Sequence, residues 1–241
     1  KVIIEDVGVF YDQYGTSDHR IINIESRNGD DCVRPADVIS PYTTPENYSF
    51  GSMGGYLTYD EALAEMDKMH ELYPEHITER MSVGNIKTQE DRNIHYMVIA
   101  KDPSNLDDGN PQVFYNSLHH AREPNSLSNL IFYMWYLLEN YDSDKEVQYL
   151  VDNTTMFFMP IVNPDGYVWN EITNPNGGGF WRKNRYVNTT NETVGVDLNR
   201  NYGLAWAYDN QGSSPSENSE TYRGPSAFSE PETRAIRQLC I

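Results

Sequence analysis

Cysteine is scarce: Cys32 and Cys240 are the only two in 241 residues. They form no metal-ligand spacing, and whether they bridge is open on sequence alone. Long apolar runs are also missing. The longest, Leu130 to Leu138, has nine residues, far below the roughly 20 that cross a bilayer as a helix, so no membrane insertion is expected. Basic residues are few: 18 Lys and Arg against 36 Asp and Glu leave a net charge of −18. That field repels phosphate backbones and anionic membrane surfaces, which argues against nucleic acid as a partner. The chain begins at Lys1 without the basic, apolar and small-residue sections of a signal peptide, so its start reads as cropped. Against these absences stand a 38% hydrophobic fraction and 18 Tyr, 8 Phe and 4 Trp, a composition that folds.

Residues 1–55 mix short apolar stretches with Pro and Gly punctuation and read as an N-terminal arm, linker or propeptide remnant. From residue 56 the pattern sharpens. Thr58 and Glu61 have the capping-box form, and Leu63, Met66 and Met69 recur at helical spacing until Pro74. Residues 92–100 alternate as a strand does, and Glu79 to Val83 can pair with them. Val113 to Leu118 reads as a strand, Pro124 as the first position of a helix, and Asp144 to Val151 as a second helix. Thr155 to Val162 is β-rich, Asn163 to Gly166 has turn chemistry, and Val194 to Leu198 reads as a short strand. Residues 202–228 read as loop, after which Ser229 and Glu232 are expected to cap a final helix. Helices alternating with strands predict an α/β fold: a mixed, mainly parallel sheet flanked by helices.

The most informative segment is His119-His120-Ala121-Arg122-Glu123. An imidazole and a carboxylate three residues apart, at the carboxyl end of a buried strand, can converge on one divalent ion, and nitrogen plus oxygen ligation suits zinc. His-x-x-Glu alone is a weak signal, because such pairs recur on solvated helix faces. Three neighbours in the sequence strengthen it. Trp181-Arg182-Lys183 is a basic cluster in an acidic chain, where a guanidinium can stabilise an oxyanion or clamp a carboxylate. Asn199-Arg200 follows the expected strand, putting an amide and a guanidinium at a strand's carboxyl edge. Arg122 sits within the metal pair and would give a bound ion a positive neighbour suited to an anionic ligand. Several arginines beside one candidate metal point to a carboxylate-bearing substrate.

On these motifs the chain, from about Tyr56 onward, resembles the zinc metallocarboxypeptidases. It is similar to the carboxypeptidase A and B group and closest to bacterial carboxypeptidase T. Asn163-Pro164-Asp165-Gly166-Tyr167 and Ser219-Glu220-Thr221-Tyr222-Arg223-Gly224 also match stretches usual in these enzymes. The resemblance implies that His120 and Glu123 are zinc ligands and that Arg122 holds the substrate backbone. It further implies that Arg182 is catalytic, polarising the scissile carbonyl and stabilising the oxyanion, and that Asn199 and Arg200 bind the substrate's C-terminal carboxylate. The implied activity is zinc-dependent removal of C-terminal residues from peptides or proteins by a secreted enzyme. A monomer is expected.

The match departs from the family in one respect. No histidine follows His120, whereas the family's third zinc ligand is a histidine downstream of the Asn-Arg motif. The catalytic glutamate, the mobile tyrosine and most of the specificity pocket also lie, in the family, beyond the position of Ile241. A catalytic zinc site needs three protein ligands and an open position. The expectation is therefore the N-terminal portion of a catalytic domain, truncated before its C-terminal part and inactive by itself. His119 cannot readily join His120 on one ion, because consecutive residues at a strand end point opposite ways. Two alternatives remain: a non-catalytic peptide-binding homologue, and a zinc amidohydrolase acting on acylated amino acids, which the Trp-Arg-Lys motif argues against.

Overall fold

The computed structural model describes residues 43–107 and 109–240. Cys32, His19 and most of the expected arm lie outside them. Helix α1 runs Tyr59–Leu72, with Thr58 and Glu61 satisfying each other's backbone N–H groups as the capping-box pattern predicts. Strands β1 (Met81–Lys87) and β2 (Asn93–Ile99) form an antiparallel pair, and β3 (Gln112–Asn116) leads toward the His-x-x-Glu segment. Pro124 opens α2 (Pro124–Asn140) at a position where its missing N–H costs nothing. Asp144 caps α3 (Lys145–Asn153) by accepting from the backbone of Glu146 and Val147, and β4 spans Thr155–Met159.

The sheet order is β1-β2-β4-β3. It is mixed, as expected, but among the described strands only β3 and β4 are parallel, while β1-β2 and β2-β4 are antiparallel. Both faces are covered. Met97, Ile99, Met156 and Phe158 face a cluster built with α1, α2 and α3, whereas Ile94 and Met159 face a smaller one with Ala235 and Ile236 of the last helix. Residues 43–55, assigned to the arm from sequence, contribute to this core through the buried Met53. No helix among the described residues is long and apolar enough to cross a membrane.

Three local expectations are corrected. Asn163 to Gly166 is not a free turn but the start of α4 (Pro164–Thr173), with Asn163 Oδ1 accepting the Gly166 N–H as its cap. Asn followed by Pro serves a turn and a helix N-terminus equally well. Val194 to Leu198 does not form a strand. Gly195 stands at φ +67°, and this backbone conformation breaks the extended run; glycine is required there, because a Cβ would lie 2.5 Å from the Asn184 carbonyl oxygen. The segment ends in a 3₁₀ turn, Leu198–Arg200, capped by Asp197. Finally, α5 (Pro231–Leu239) begins at Glu230 with no side-chain cap, and Ser229 instead donates to the Glu230 carboxylate.

Candidate metal centre and substrate cleft

The parallel pair β3-β4 ends on one edge of the sheet, and the site lies there, as in other open α/β sheets. Past β3, Leu118 adopts φ +58°, a left-handed conformation rare for a large side chain, and is held by its buried side chain and by Ser126 Oγ on its N–H. This bend sends the two following histidines apart. His119 turns to Tyr202, with Nε2 2.6 Å from the hydroxyl, and burial followed by the neighbouring His120 depresses its pKa to about 4. His120 turns inward. Its Nδ1 lies 2.9 Å from Glu123 Oε1 and its Nε2 3.1 Å from Asp197 Oδ1.

Asp197 lies behind the imidazole. It is fully buried, and an ionised carboxylate only accepts, so it favours the tautomer with the ring proton on Nε2, the form that leaves Nδ1 free for a metal. Burial alone would raise the Asp197 pKa, but hydrogen bonds from His120 and Arg182 outweigh it and hold the group below its usual value. The Nδ1 lone pair then faces a carboxylate oxygen of Glu123, two electron-pair donors that come together favourably only around a cation or a proton. Imidazole nitrogen plus carboxylate oxygen is a donor set that zinc accepts, and ligands of a tetrahedral zinc stand about 3.3 Å apart, so the two groups fit with a small opening. Among the described residues no group of three His, Cys, Asp or Glu side chains forms a complete metal set. His70 bonds the Ile77 carbonyl and His95 lies 3.1 Å from Arg80, both away from this centre.

The cation facing the pair is Arg182 rather than Arg122. Arg182 Nη2 donates to Asp197 Oδ2 at 2.8 Å, and Nη1 stands 3.2 Å from His120 Nδ1 and 3.8 Å from Glu123 Oε1. The Arg182 carbonyl accepts the Ala121 N–H, which straps its loop onto the His-x-x-Glu turn. Asn163 Nδ2 reinforces this by donating to the carbonyls of both His119 and Lys183. Gly166 has no side chain because a Cβ there would lie 2.7 Å from the Lys183 carbonyl oxygen and 2.9 Å from the Ala121 Cβ. Lys183 itself is buried, which lowers its pKa, and its Nζ donates to the carbonyls of Glu217 and Ser219. That anchors the loop bearing Glu220, whose carboxylate meets Arg122 Nη1 at 3.3 Å near the surface.

Asn199 and Arg200 flank a cavity of about 330 Å³ whose walls include Tyr202, Trp206 and Tyr208. Asn199 Nδ2 reaches within 3.3 Å of His120 Nε2, while Arg200 rests on the Gly212 and Asn199 carbonyls. Its guanidinium has no carboxylate partner among the ion pairs of the described residues. His120, Glu123, Arg182 and Asn199 thus converge on one point, with Arg200 beside it and Arg122 farther out on the rim. Asp197, at the centre of the network, is the residue that reading motifs missed. Its only signal was an acidic residue two positions before Asn-Arg.

The zinc carboxypeptidase family profile matches residues 62–241. The chain belongs to this family. Mast cell carboxypeptidase A of Mus musculus is 31% identical over 77% of the chain and 41% of its own length, and a zinc carboxypeptidase of Simulium vittatum is 33% identical over 75% and 54%. Among solved structures, carboxypeptidase A from Helicoverpa armigera superposes with a TM-score of 0.65 at 33% identity, covering 78% of this chain and 43% of that one. The chain thus spans about half or less of the length of these carboxypeptidases, and shares their α/β fold over that span.

Proposed function

We propose that the chain carries the zinc-binding and substrate-binding part of a metallocarboxypeptidase that hydrolyses the C-terminal peptide bond of peptides or proteins. The observation carrying this reading is the convergence of His120 Nδ1 and Glu123 Oε1 at 2.9 Å, with Asp197 behind the imidazole and Arg182 beside both. Zinc held by such a set supplies Lewis acidity toward a carbonyl oxygen and toward water. Arg182 is the donor available to an oxyanion developing at that point. Arg200 and Asn199 receive the terminal carboxylate, a task that suits a guanidinium fork and an amide, and Arg122 binds substrate backbone farther out. The reading extends to a secreted, monomeric enzyme, checked by its presence in culture medium and by sedimentation at the mass of one chain.

In the zinc-loaded enzyme, peptides with a free C-terminus should be cleaved and their amidated counterparts ignored; equal rates on both would sink the carboxylate clamp. Arg182→Ala should lower turnover by about 10²–10³-fold, the usual loss for one oxyanion donor, and near-normal turnover would refute that role. One observation bears on a second reading, a non-catalytic peptide-binding homologue: Arg200 lines a cavity and its guanidinium has no carboxylate partner among the ion pairs of the described residues. That reading expects peptide binding that depends on Arg200 and is indifferent to chelators.

A further inference from the structure

Asn184, two residues after Arg182, is fully buried, and all its polar atoms are bonded. Its backbone N–H donates to the Val196 carbonyl, and its own carbonyl accepts the Trp181 indole N–H at 3.0 Å. Its side-chain Oδ1 accepts from the N–H groups of Tyr186 and Val196. The Nδ2 group donates to Glu230 Oε2 at 2.7 Å and to Glu232 Oε2 at 3.1 Å. One side chain therefore joins the Arg182 loop, the backbone leading into Asp197, and the first turn of α5.

The two carboxyls it holds are both fully buried, and Glu232 Oε1 has no hydrogen-bond partner. Among the described residues neither makes an ion pair with Lys or Arg. On their own helix the nearby cation is Arg234, which donates to the carbonyls of Phe228 and Ser229. From α4 comes Asp165, whose charge is met by Arg92 at 2.8 Å, and from the surrounding loops Tyr186, Tyr202 and Tyr222. Two adjacent carboxylates without a cation cannot both stay ionised in such a place.

We propose that Asn184 and the buried Glu230–Glu232 pair are positioning residues for Arg182 and Asp197, and that the pair performs this role while it holds a proton. Burial, and then the charge of Glu230, push the Glu232 carboxyl up to about 8, and burial raises Glu230 as well. The pair titrates jointly. Below the ordinary glutamate value the neutral carboxyl contributes its full stabilisation; that contribution falls as pH rises and is gone above about pH 8. With both groups charged, the single Nδ2 of Asn184 faces two carboxylates, and the junction opens toward the Arg182 loop. The functional consequence rests on the carboxypeptidase reading of Arg182; the titrating junction does not.

The Trp181 indole N–H reports the junction directly. In the full chain, its ¹H–¹⁵N resonance, assigned with Trp181→Phe, should shift with a midpoint near pH 8, while that of Trp135, bonded to Glu65, stays flat. Glu232→Gln, which imitates the neutral acid and leaves Glu230 as the lone titrating carboxyl, should remove the midpoint near pH 8. Glu230→Gln, which removes the neighbouring charge, should lower that midpoint. A flat Trp181 resonance in the unaltered chain overturns the proposal even if neither variant folds, as does an unchanged titration in Glu232→Gln. A titrating Trp181, beside near-normal turnover of the zinc-loaded enzyme carrying Arg182→Ala, would instead retire the carboxypeptidase reading of Arg182 and leave the junction standing.

Discussion

Asp197 belongs to none of the sequence motifs, yet three of the candidate residues lean on it. His120 Nε2 hydrogen-bonds to it, Arg182 donates a guanidinium N–H, and Asn199 donates its backbone N–H. A carboxylate there can only accept, which favours the imidazole tautomer with its Nδ1 lone pair toward Glu123. In Asp197→Asn the amide could accept or donate, so the tautomer would no longer be favoured and the Arg182 guanidinium, only 14% exposed, would lose its nearest countercharge. Zinc affinity should fall by about 10–100-fold, the usual effect of losing a partner behind a ligating histidine. Competition for zinc against a chelating dye measures this, and equal affinity of variant and parent would show that the tautomer is set elsewhere.

At the scale of elements, α1 shows a sequence rule acting without interference. The Thr58 and Glu61 cap closes its first turn while Met66 and Met69 bury its inner face. Thr58→Ala should therefore cost about 1 kcal/mol, read as a lower midpoint of denaturant unfolding with unchanged slope; a midpoint that does not move would mean that burial of Met66 and Met69 alone holds the turn. The same directness made Pro124 and the spacing of the His-x-x-Glu pair legible, because each depends on chemistry within a few residues, whereas Asp144, read as part of its helix, is the cap before it. What was not legible depended on distant groups. The broken extension at Gly195 goes with its φ of +67°, and the Asn184 carbonyl oxygen, 2.5 Å from where a Cβ would lie, requires glycine there. Ser229 and Glu232 have capping-box spacing, but Glu232 is drawn into the interior by Asn184 and Ser229 turns to Glu230. Arg122 looked like the metal's positive neighbour because it is adjacent in sequence, whereas Arg182 reaches that position from 62 residues away.

At the scale of the molecule, two kinds of carboxyl group pull stability in opposite directions with pH. Hydrogen bonds from Thr58 and Ser52 lower Glu61 against its partial burial, and the Arg80 hydrogen bond lowers Asp67. Asp197 is lowered in the same sense. Groups with depressed values stabilise the fold above the ordinary carboxylate range and lose that contribution as pH falls through their folded values, so they define an acid limb below about pH 4. Glu230 and Glu232 are raised, so their contribution declines from the ordinary glutamate value upward. The net charge of −18 at pH 7 adds self-repulsion that also grows with pH. The two effects together put the stability maximum at about pH 5–6, on the acid side of neutrality. Thermal unfolding from pH 4 to 9 should show Tm falling by several degrees between pH 6 and 9. Salt separates the causes: about 0.5 M NaCl screens surface repulsion but reaches a buried pair much less. Salt should therefore recover only part of that fall in the parent chain and nearly all of it in Glu232→Gln. Full recovery in the parent would assign the alkaline loss to surface charge alone, and a Tm constant from pH 6 to 9 would remove both causes.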